Sequence, residues 1–486
     1  MLDILFINPG DRKVVFQDLG KDLTAVEPPF QIASYASFLR NKGFSVAILD
    51  ANAENISPQE TAQSVKELNP LLVAIIVYGN QPSASTQNMS ISGKIATTIK
   101  EKTNAKVVIG GLHPSALPKR TLEEESVDFV IEGEEQIPLS QLIEVLKTHN
   151  DLSKVSGLWY TDNSITKNTP KPKLIDDLDK YLPLAAWDLL PMDKYRAHNW
   201  HCFDNINSRM PYGAIYTSLG CPYKCTFCCI NAPFGGSGIR YRSPELVVQE
   251  IEFLHKEYGI KNIKFIDEMF ILDERHYMKI VDLLIEKDLD LNIWAYARVD
   301  TVHEETLVKL KQAGFNWLAL GIESANADVR DGASKKMRVK DIQSIVNKIQ
   351  DAGIYVIANY IFGLPDDTME SMQETLDMAQ ELNCEFSNFY CAMAYPGSQL
   401  YNIAMEEGWQ LPEEWTGYSQ HSYNIQPLPS KTLLAKDIVA FRDSAFHTYN
   451  ESKKYLNMLH ATFGPEVKKH MQNITLTRLK RKILEE

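Results

Sequence analysis

The chain has 486 residues, 44% of them hydrophobic, and a formal net charge of −13. This length predicts two or three domains with sizeable cores, and the acidic charge argues against a general nucleic-acid-binding protein. The first residues lack a basic segment followed by a long apolar one, so we expect no signal peptide, and no apolar run reaches the length of a membrane span. Seven cysteines, an odd number, indicate a reducing cytoplasm.

The first 150 residues alternate between short apolar segments and amphipathic ones. The pattern predicts strands at 3–9, 45–49, 71–78, 106–109 and 128–131, and helices at 31–42, 58–67, 90–102 and from about 138. Short strands that alternate with helices are typical of an α/β domain built on a Rossmann-like, doubly wound parallel sheet. We assign this domain to residues 1–150.

Ligands of such sheets bind beyond the carboxyl ends of the strands. The loops at that edge contain Asn8-Pro9, Tyr78-Gly79-Asn80 and Gly110-Gly111. Glycine there allows a backbone to approach a bulky ligand. No G-x-G-x-x-G follows the first strand and no Walker A sequence is present, which disfavours nicotinamide and P-loop nucleotides.

Residues 151–205 are interpreted as a linker. A small hairpin is predicted from 155–160 and 164–167 around Asp162-Asn163, followed by a stretch rich in Pro, Lys and Asp. The residues of this segment do not indicate a particular reaction or ligand.

Three cysteines, Cys221, Cys225 and Cys228, lie close together in a segment too irregular for a helix or a strand. This spacing suits a metal or an iron–sulfur cluster better than a disulfide framework. A closed structural site takes four protein ligands. Three thiolates on a four-iron cluster leave one iron free to bind a substrate. A structural zinc with a distant fourth ligand, or three unrelated core cysteines, are the alternatives.

Strands and helices alternate again over residues 206–410. Strands are predicted at 214–218, 263–266, 292–297, 317–320, 355–361 and 386–392, with helices at 244–258, 274–287, 303–313, 339–352 and 369–382. Eight strands would close a barrel, so six predict a partial, open one. Polar residues follow the strands, namely Asp267, Arg298, Glu323 and Ser324. A salt bridge of Arg298 with Asp267 or Glu323 is the structural alternative for that arginine.

Residues 411–486 are predicted to form a helical C-terminal extension, with a helix from about 433 to 455, that could cap the open side of the barrel. Its last part carries several lysines and arginines, among them Arg478 and Arg481. We interpret them as a solvated helix face, with contact to a partner or a membrane surface as the alternative.

Residues 206–410 resemble the radical S-adenosylmethionine (SAM) domain. The resemblance rests on Cys221/Cys225/Cys228 with Phe227, Phe265-Ile266-Asp267-Glu268-Met269-Phe270, Arg298, Gly321-Ile322-Glu323-Ser324 and Gly363-Leu364-Pro365. It implies a [4Fe-4S] cluster on the three cysteines, SAM on the fourth iron, a reductant such as flavodoxin or ferredoxin, and a 5′-deoxyadenosyl radical.

The resemblance also gives the other residues roles. Phe227 would shield the cluster and lie against adenine, and Arg298 would pair with the SAM carboxylate. Glu323 and Ser324 would accept hydrogen bonds from the ribose hydroxyls or the ammonium group. Asp267 is a further cofactor-binding candidate, with a structural role as the alternative.

The N-terminal domain resembles the cobalamin-binding domain that precedes many radical SAM enzymes. The matching segments are Ile7-Asn8-Pro9, Pro28-Pro29-Phe30, Leu49-Asp50, Gly110-Gly111-Leu112-His113-Pro114 and 127–134. The resemblance makes Asn8, Pro9, Tyr78, Gly110 and Gly111 cobalamin-binding candidates. The D-x-H-x-x-G motif is absent, because no Asp precedes His113 at the needed position, so a histidine from that motif would not hold the cobalt. A vestigial domain that binds nothing, or a substrate, is the alternative.

Together the two resemblances imply a cobalamin-dependent radical SAM enzyme, most often a methyltransferase acting on an unactivated carbon. The first alternative keeps both cofactors and changes the outcome to ring formation, oxidation or rearrangement, as in the anaerobic porphyrin-ester cyclase branch. The second is a non-enzymatic iron–sulfur redox protein. Because no basic face is evident, a small molecule, lipid or glycan precursor is expected as substrate.

Overall fold

The structure is a computed structural model that describes residues 2–485, apart from 21, 22, 80, 82, 83 and 338 and the side chains of 339–341. Asn80, which belongs to one of the predicted ligand loops, therefore lies outside the described residues. Two parallel sheets organise the described part of the chain, one in each half.

The first sheet contains seven strands among the described residues, in the order β2-β1-β3-β4-β5-β6-β7. They are β1 Ile4–Asn8, β2 Val46–Asp50, β3 Leu72–Val77, β4 Lys106–Gly111, β5 Phe129–Ile131, β6 Leu158–Asp162 and β7 Ile165–Asn168. Strands β1 to β5 pair in parallel. The helices of this half are Arg12–Phe16, Phe30–Asn41, Ala51–Glu54, Pro58–Leu68, Ala84–Gln87, Met89–Lys102, Leu112–Ala116, Pro118–Glu124, Gln136–Thr148 and Leu178–Tyr181.

Helices cover both faces of the first sheet. Alternate residues of β3 enter two different cores: Leu72, Ala74 and Ile76 lie in one, and Val73, Ile75 and Val77 lie in the other. A strand that is buried on both faces must be apolar throughout, which is why β3 reads as a continuous run of aliphatic residues. The predicted doubly wound sheet is confirmed.

The hairpin that the sequence predicts within residues 151–205 forms, and it extends the first sheet. Strand β6 pairs antiparallel with β5, and β7 pairs with β6. The segment that follows lies between the two halves of the chain, where Ala185 N and Trp187 Nε1 both donate to Glu250, at 2.8 and 3.0 Å. Much of the predicted linker is therefore packed structure, because its aromatic and aliphatic residues are buried between the two sheets.

The second sheet has six parallel strands among the described residues, in the order β15-β14-β13-β12-β11-β8. They are β8 Tyr212–Ile215, β11 Asn262–Phe265, β12 Asn292–Arg298, β13 Phe315–Glu323, β14 Tyr355–Phe362 and β15 Phe386–Cys391; the short strands β9 Ser218–Leu219 and β10 Arg240–Tyr241 pair separately. The helices are Pro244–Tyr258, Glu274–Lys287, Glu304–Gln312, Ala327–Gly332, Val339–Asp351, Met369–Leu382 and Gln399–Glu406. Within the described strands β8 and β15 do not pair, so the predicted partial (β/α)6 barrel is confirmed.

The C-terminal extension is helical, as predicted, but its first long helix is interrupted. The helices are Ala435–Asn450, Lys453–Phe463, Pro465–Thr475 and Lys482–Glu485. The prediction of one helix over 433–455 is wrong, because Ser452 caps a new helix by accepting from Tyr455 N at 3.2 Å.

The interpretation of the chain's last basic residues as a solvated face is wrong for Arg481, whose side chain is only 1% exposed and bonds Asp443. In the described part of the chain, no helix is both long and apolar enough to cross a lipid bilayer.

Candidate active site

The two ends of the cysteine loop are held together by a short pair of strands. Strands β9 and β10 pair on either side of it. Gly220 has a φ of +88°, and a side chain there would meet the carbonyl of Gly238, so this position favours glycine. The Asn231 amide accepts from Cys221 N and donates to Cys221 O, at 3.3 and 3.0 Å. These contacts fix the backbone of the first cysteine.

The far end of the loop is fastened to the carboxyl-terminal side of the second sheet. Thr226 N donates to Ala333 O at 3.2 Å, and Leu400 N donates to Thr226 O at 2.8 Å. Phe227 packs against two small clusters of apolar residues, most of which follow β13, β14 and β15. The loop therefore bridges the edges of the open barrel.

Cys221, Cys225 and Cys228 have free thiols and line one common cavity. Burial raises the pKa of the Cys221 thiol to about 11. No group of three or more His, Cys, Asp or Glu side chains in the described residues is arranged to hold a single metal ion. In an iron–sulfur cluster each thiolate binds a different iron, so the three thiols need not converge on one point.

The cavity has a volume of about 1090 Å³. Alternate residues of β13 and β14 face it, as expected for the interior of a barrel: Ala319, Gly321 and Glu323 on β13, and Ile357, Asn359 and Ile361 on β14. Trp294, Tyr296, Ala297 and Arg298 line it from β12, and all residues of the edge strand β15 line it as well. Because single drug-sized ligands occupy pockets of about 300–1,000 Å³, this space can hold more than one molecule.

Arg298 ends β12 and is held from two sides. Its Nε and Nη2 donate to the two carboxylate oxygens of Asp300, at 2.8 and 3.0 Å. Its guanidinium carbon lies 4.0 Å from the ring centroid of Tyr223 in the cysteine loop, and its Nη1 lies 4.0 Å from Cys225 Sγ. The ion-pair partner is thus Asp300, and neither alternative suggested by the sequence is involved.

Glu323 ends β13 with a φ of +66°, an uncommon conformation for a residue other than glycine. Its carboxylate pairs with Lys335, and both residues line the cavity. A side chain at Gly321 would overlap the charged ends of both side chains, so the glycine leaves room for this ion pair. No strand-end pattern in the sequence marks Lys335 as a site residue, because it lies in a loop.

Two predicted cofactor-binding residues do not line the cavity. The Asp267 carboxylate accepts from Thr217 Oγ1 at 2.8 Å and from Ser218 Oγ at 2.6 Å, which fixes the segment before the cysteine loop. The fully buried Ser324 hydroxyl lies 3.2 Å from Thr375 Oγ1. Both side chains form hydrogen bonds within the barrel and have a structural role.

Glu268, next to Asp267, does line the cavity. Its Oε1 is buried without a hydrogen-bond partner in the described residues. Burial raises the pKa of this carboxyl group to about 8. Glu268 thus offers the cavity a carboxyl group that the protein itself leaves unsatisfied.

Three of the residues predicted at the rim of the first sheet, Asn8, Pro9 and Tyr78, line a second cavity of about 80 Å³. The Asn8 amide donates to Asp50 at 2.8 Å, and the Tyr78 hydroxyl lies 3.4 Å from Glu135 Oε1. The two cavities share Phe16, Ala84 and Gln87 among their lining residues.

Of the predicted glycines, Gly79 lines the second cavity, whereas Gly110 and Gly111 line neither cavity. A side chain at Gly111, where φ is +123°, would overlap the carbonyl of Val77, so packing within the sheet requires glycine there. A side chain at Gly110 would lie close to the Glu135 side chain. His113 is 1% exposed, and its Nδ1 lies 3.2 Å from Thr86 Oγ1.

The large cavity reaches from the cysteine loop to residues of the N-terminal half, such as Leu19, Thr24 and Gln87. Four of its lining residues have buried polar atoms without partners in the described residues: Thr24 Oγ1, Glu268 Oε1, Ser387 Oγ and His421 Nδ1. Such atoms are costly to leave unsatisfied. The cavity therefore fits polar ligands that span both halves of the chain.

Two family models match the chain. The model of the radical SAM superfamily matches residues 215–379, and the model of the B12 binding domain matches residues 18–143. The first range contains the cysteine loop and most of the second sheet, and the second range contains most of the first sheet.

Two known proteins are similar to this chain over most of its length. The chain is 30% identical over 420 residues to an uncharacterized methyltransferase, PH0819, from Pyrococcus horikoshii, with 86% of each chain covered. It is 26% identical to the anaerobic magnesium-protoporphyrin IX monomethyl ester cyclase of Rubrivivax gelatinosus, covering 82% of this chain and 69% of that one.

Among solved structures, the radical SAM methyltransferase TsrM from Kitasatospora setae, with cobalamin and a [4Fe-4S] cluster bound, superposes with a TM-score of 0.70. The match covers 98% of this chain and 100% of TsrM at 17% identity, which shows a shared fold. The chain therefore belongs to the family of cobalamin-dependent radical SAM enzymes, which includes methyltransferases.

Proposed function

We propose that the protein methylates an unactivated carbon of a small molecule, a lipid or a glycan precursor. The observation that carries the proposal is the single cavity that joins three free thiols, Arg298 and Glu323 to residues of the N-terminal half. When bound, a [4Fe-4S] cluster supplies the electron that cleaves SAM to a 5′-deoxyadenosyl radical, and cobalamin supplies the methyl group.

The three cysteines would hold the cluster. Arg298, positioned by Asp300, keeps its Nη1 beside Cys225 and is the cation best placed for the SAM carboxylate. Glu323 and Glu268 are acceptors for hydroxyl or ammonium groups in the same space. Phe227 covers the loop from the side of β14 and β15.

The residues assigned to cobalamin change with this geometry. Asn8, Pro9 and Tyr78 stay in the proposal, because they line the smaller cavity that adjoins the large one. Thr24 and Gln87 join them, since they line the large cavity from the N-terminal half. Gly110 and Gly111 are left with a packing role.

The reductant that fits this chemistry is a small electron carrier such as flavodoxin or ferredoxin. All seven cysteines are free, which supports a reducing, cytoplasmic setting.

The test is anaerobic reconstitution of the full chain with iron, sulfide and cobalamin, followed by incubation with SAM and a reductant. Formation of 5′-deoxyadenosine and S-adenosylhomocysteine supports methyl transfer. Cys225→Ala should abolish both products, whereas Cys384→Ala, which removes a buried thiol outside the cavity, should form them normally. An intact cluster without 5′-deoxyadenosine would instead indicate a redox protein.

Ring formation or oxidation is the second candidate, since the R. gelatinosus relative is a cyclase. The same assay separates the two. A cyclase or oxidase forms 5′-deoxyadenosine without an equivalent amount of S-adenosylhomocysteine.

A further inference from the structure

The C-terminal extension supplies a charged part of the cavity wall. Helix Ala435–Asn450 packs beside the edge strand β15, where Arg442 Nε donates to Phe389 O at 2.7 Å. Arg442, Arg478 and His421 all line the cavity. None of them belongs to the cysteine loop or to the strand ends that face it, and the two arginines have no role in the site described above.

Arg442 is a buried cation that keeps free hydrogen-bonding capacity. It is 6% exposed. Its Nη1 donates to Asp443 Oδ1 at 2.8 Å, and no described residue accepts from its Nη2. Arg481 binds the same Asp443 carboxylate through Nε and Nη2, each at 2.9 Å. One carboxylate is therefore shared by two buried guanidinium groups.

The surrounding groups do not cancel the remaining positive charge. Arg478 pairs with Glu451 at 3.2 Å. With Arg481, which lies behind the lining, this region holds three arginines and two carboxylates, an excess of one positive charge. His421 adds none, because burial lowers its pKa to about 3, and its buried Nδ1 has no partner in the described residues. A buried cation in excess is costly unless a ligand compensates it.

Apolar side chains also line the cavity, among them Trp294, Ile357, Phe386 and Met471. A guanidinium group that shares a cavity with apolar side chains recognises an anionic group on an apolar body, since charge-assisted hydrogen bonds gain strength where water is excluded.

We propose that Arg442, with Arg478 and His421, binds the carboxylate or phosphate group of the substrate, whose remainder is apolar. Describing this ligand as the substrate rests on the proposed function. The anion-binding subsite itself rests only on the free Nη2 of Arg442, the excess charge and the apolar wall.

The test uses isothermal titration calorimetry on the full chain, purified anaerobically with its cluster. The probes are decanoate, decyl phosphate and decanol, which share an apolar chain and differ in charge. We expect at least one anion to bind about ten- to a hundredfold tighter than decanol, as a charge-assisted hydrogen bond predicts. The two anions distinguish a carboxylate from a phosphate, and tight binding of either supports the subsite.

Variants connect this preference to the arginines. Arg442→Gln should remove the preference for the anion and leave decanol binding unchanged, which also shows that the cavity is intact. If Arg442→Gln does not fold, Arg478→Gln is the second variant, because that side chain is 62% exposed. The loss of its charge should weaken binding of the anion by about two- to fivefold. Arg40→Gln, which breaks an exposed ion pair with Asp188, is the charge-matched control and should change nothing.

Equal affinity for decanol and both anions overturns the inference, as does a preference that survives both arginine substitutions. Production of 5′-deoxyadenosine is measured separately on the same samples. Its absence alongside anion-selective binding refutes the proposed function and leaves the subsite standing, whereas its presence without anion selectivity refutes the subsite alone.

Discussion

Lys264 of β11 and Glu27 form a buried ion pair between the barrel and the N-terminal half. The Lys264 ammonium lies 3.1 and 3.2 Å from the two carboxylate oxygens, and the two side chains are 1% and 6% exposed. At this distance and an effective dielectric constant of about 20, the attraction is about 5 kcal/mol. Removing one partner of a buried pair costs about 3–5 kcal/mol, whereas replacing both by apolar groups can be neutral.

We therefore expect Glu27→Gln to destabilise the protein by about 3–5 kcal/mol, and Lys264→Met in the same background to restore most of the loss. His198, whose Nε2 lies 3.8 Å from Glu27, does not replace the lysine, because burial lowers its pKa and keeps it neutral. The assay is a double-mutant cycle read from thermal unfolding by circular dichroism.

For a chain of 486 residues the midpoint of unfolding shifts by about 1 °C per kcal/mol, so the single substitution should lower it by about 3–5 °C. The control cycle uses the exposed pair Arg40 and Asp188, for which we expect a coupling below about 1 kcal/mol. Additive effects of Glu27→Gln and Lys264→Met would refute the reasoning, since they would show that the two charges do not stabilise each other.

Three further predictions concern single contacts. Arg298→Lys loses the bidentate ion pair with Asp300 and the stacking on Tyr223 of the cysteine loop. In protein reconstituted with its cluster, iron should therefore be lost to a coloured chelator about tenfold faster, as measured by the absorbance of the iron–chelator complex. Tyr195→Phe removes the 2.8 Å hydrogen bond to Asp50 and should cost about 1–3 kcal/mol in urea unfolding. Burial raises the pKa of Asp50 from 3.8 to about 6. The folded protein therefore holds this proton to higher pH than the unfolded chain, and stability should fall by about 3 kcal/mol between about pH 4 and pH 6; Asp50→Asn should remove that slope in pH-dependent thermal unfolding.

The elements of both sheets could be predicted because they depend on local patterns. Aliphatic runs such as 72–77 are strands because they are buried on both faces, and the spacing of Cys221, Cys225 and Cys228 is itself a local signal. The partners of side chains were harder to predict. Arg298 pairs with Asp300 because a short 3-10 helix over Val299–Thr301 follows β12 and brings the two side chains together. The periodicity of strand residues does not predict such a turn.

Ser324 shows the same limit at longer range. It follows Glu323 directly, yet its hydroxyl faces helix Met369–Leu382 while Glu323 faces the cavity. Adjacent residues at a strand end point in opposite directions, so only one of the two could reach a cofactor. The arginines of the C-terminal wall were also beyond prediction, since Arg442 and Arg481 meet at Asp443 through tertiary packing.

The wall that closes the open side of the barrel has a consequence for the order of assembly. Gln17 donates to the carbonyls of His421 and Lys480, across 404 and 463 residues of chain. Contacts so distant in sequence form only after nearly the whole chain has been synthesised, and their loops are slow to close. The cysteine loop and both sheets can fold before this clasp is made. Docking of the tail is therefore the last step by which the chain can complete the wall of the cavity.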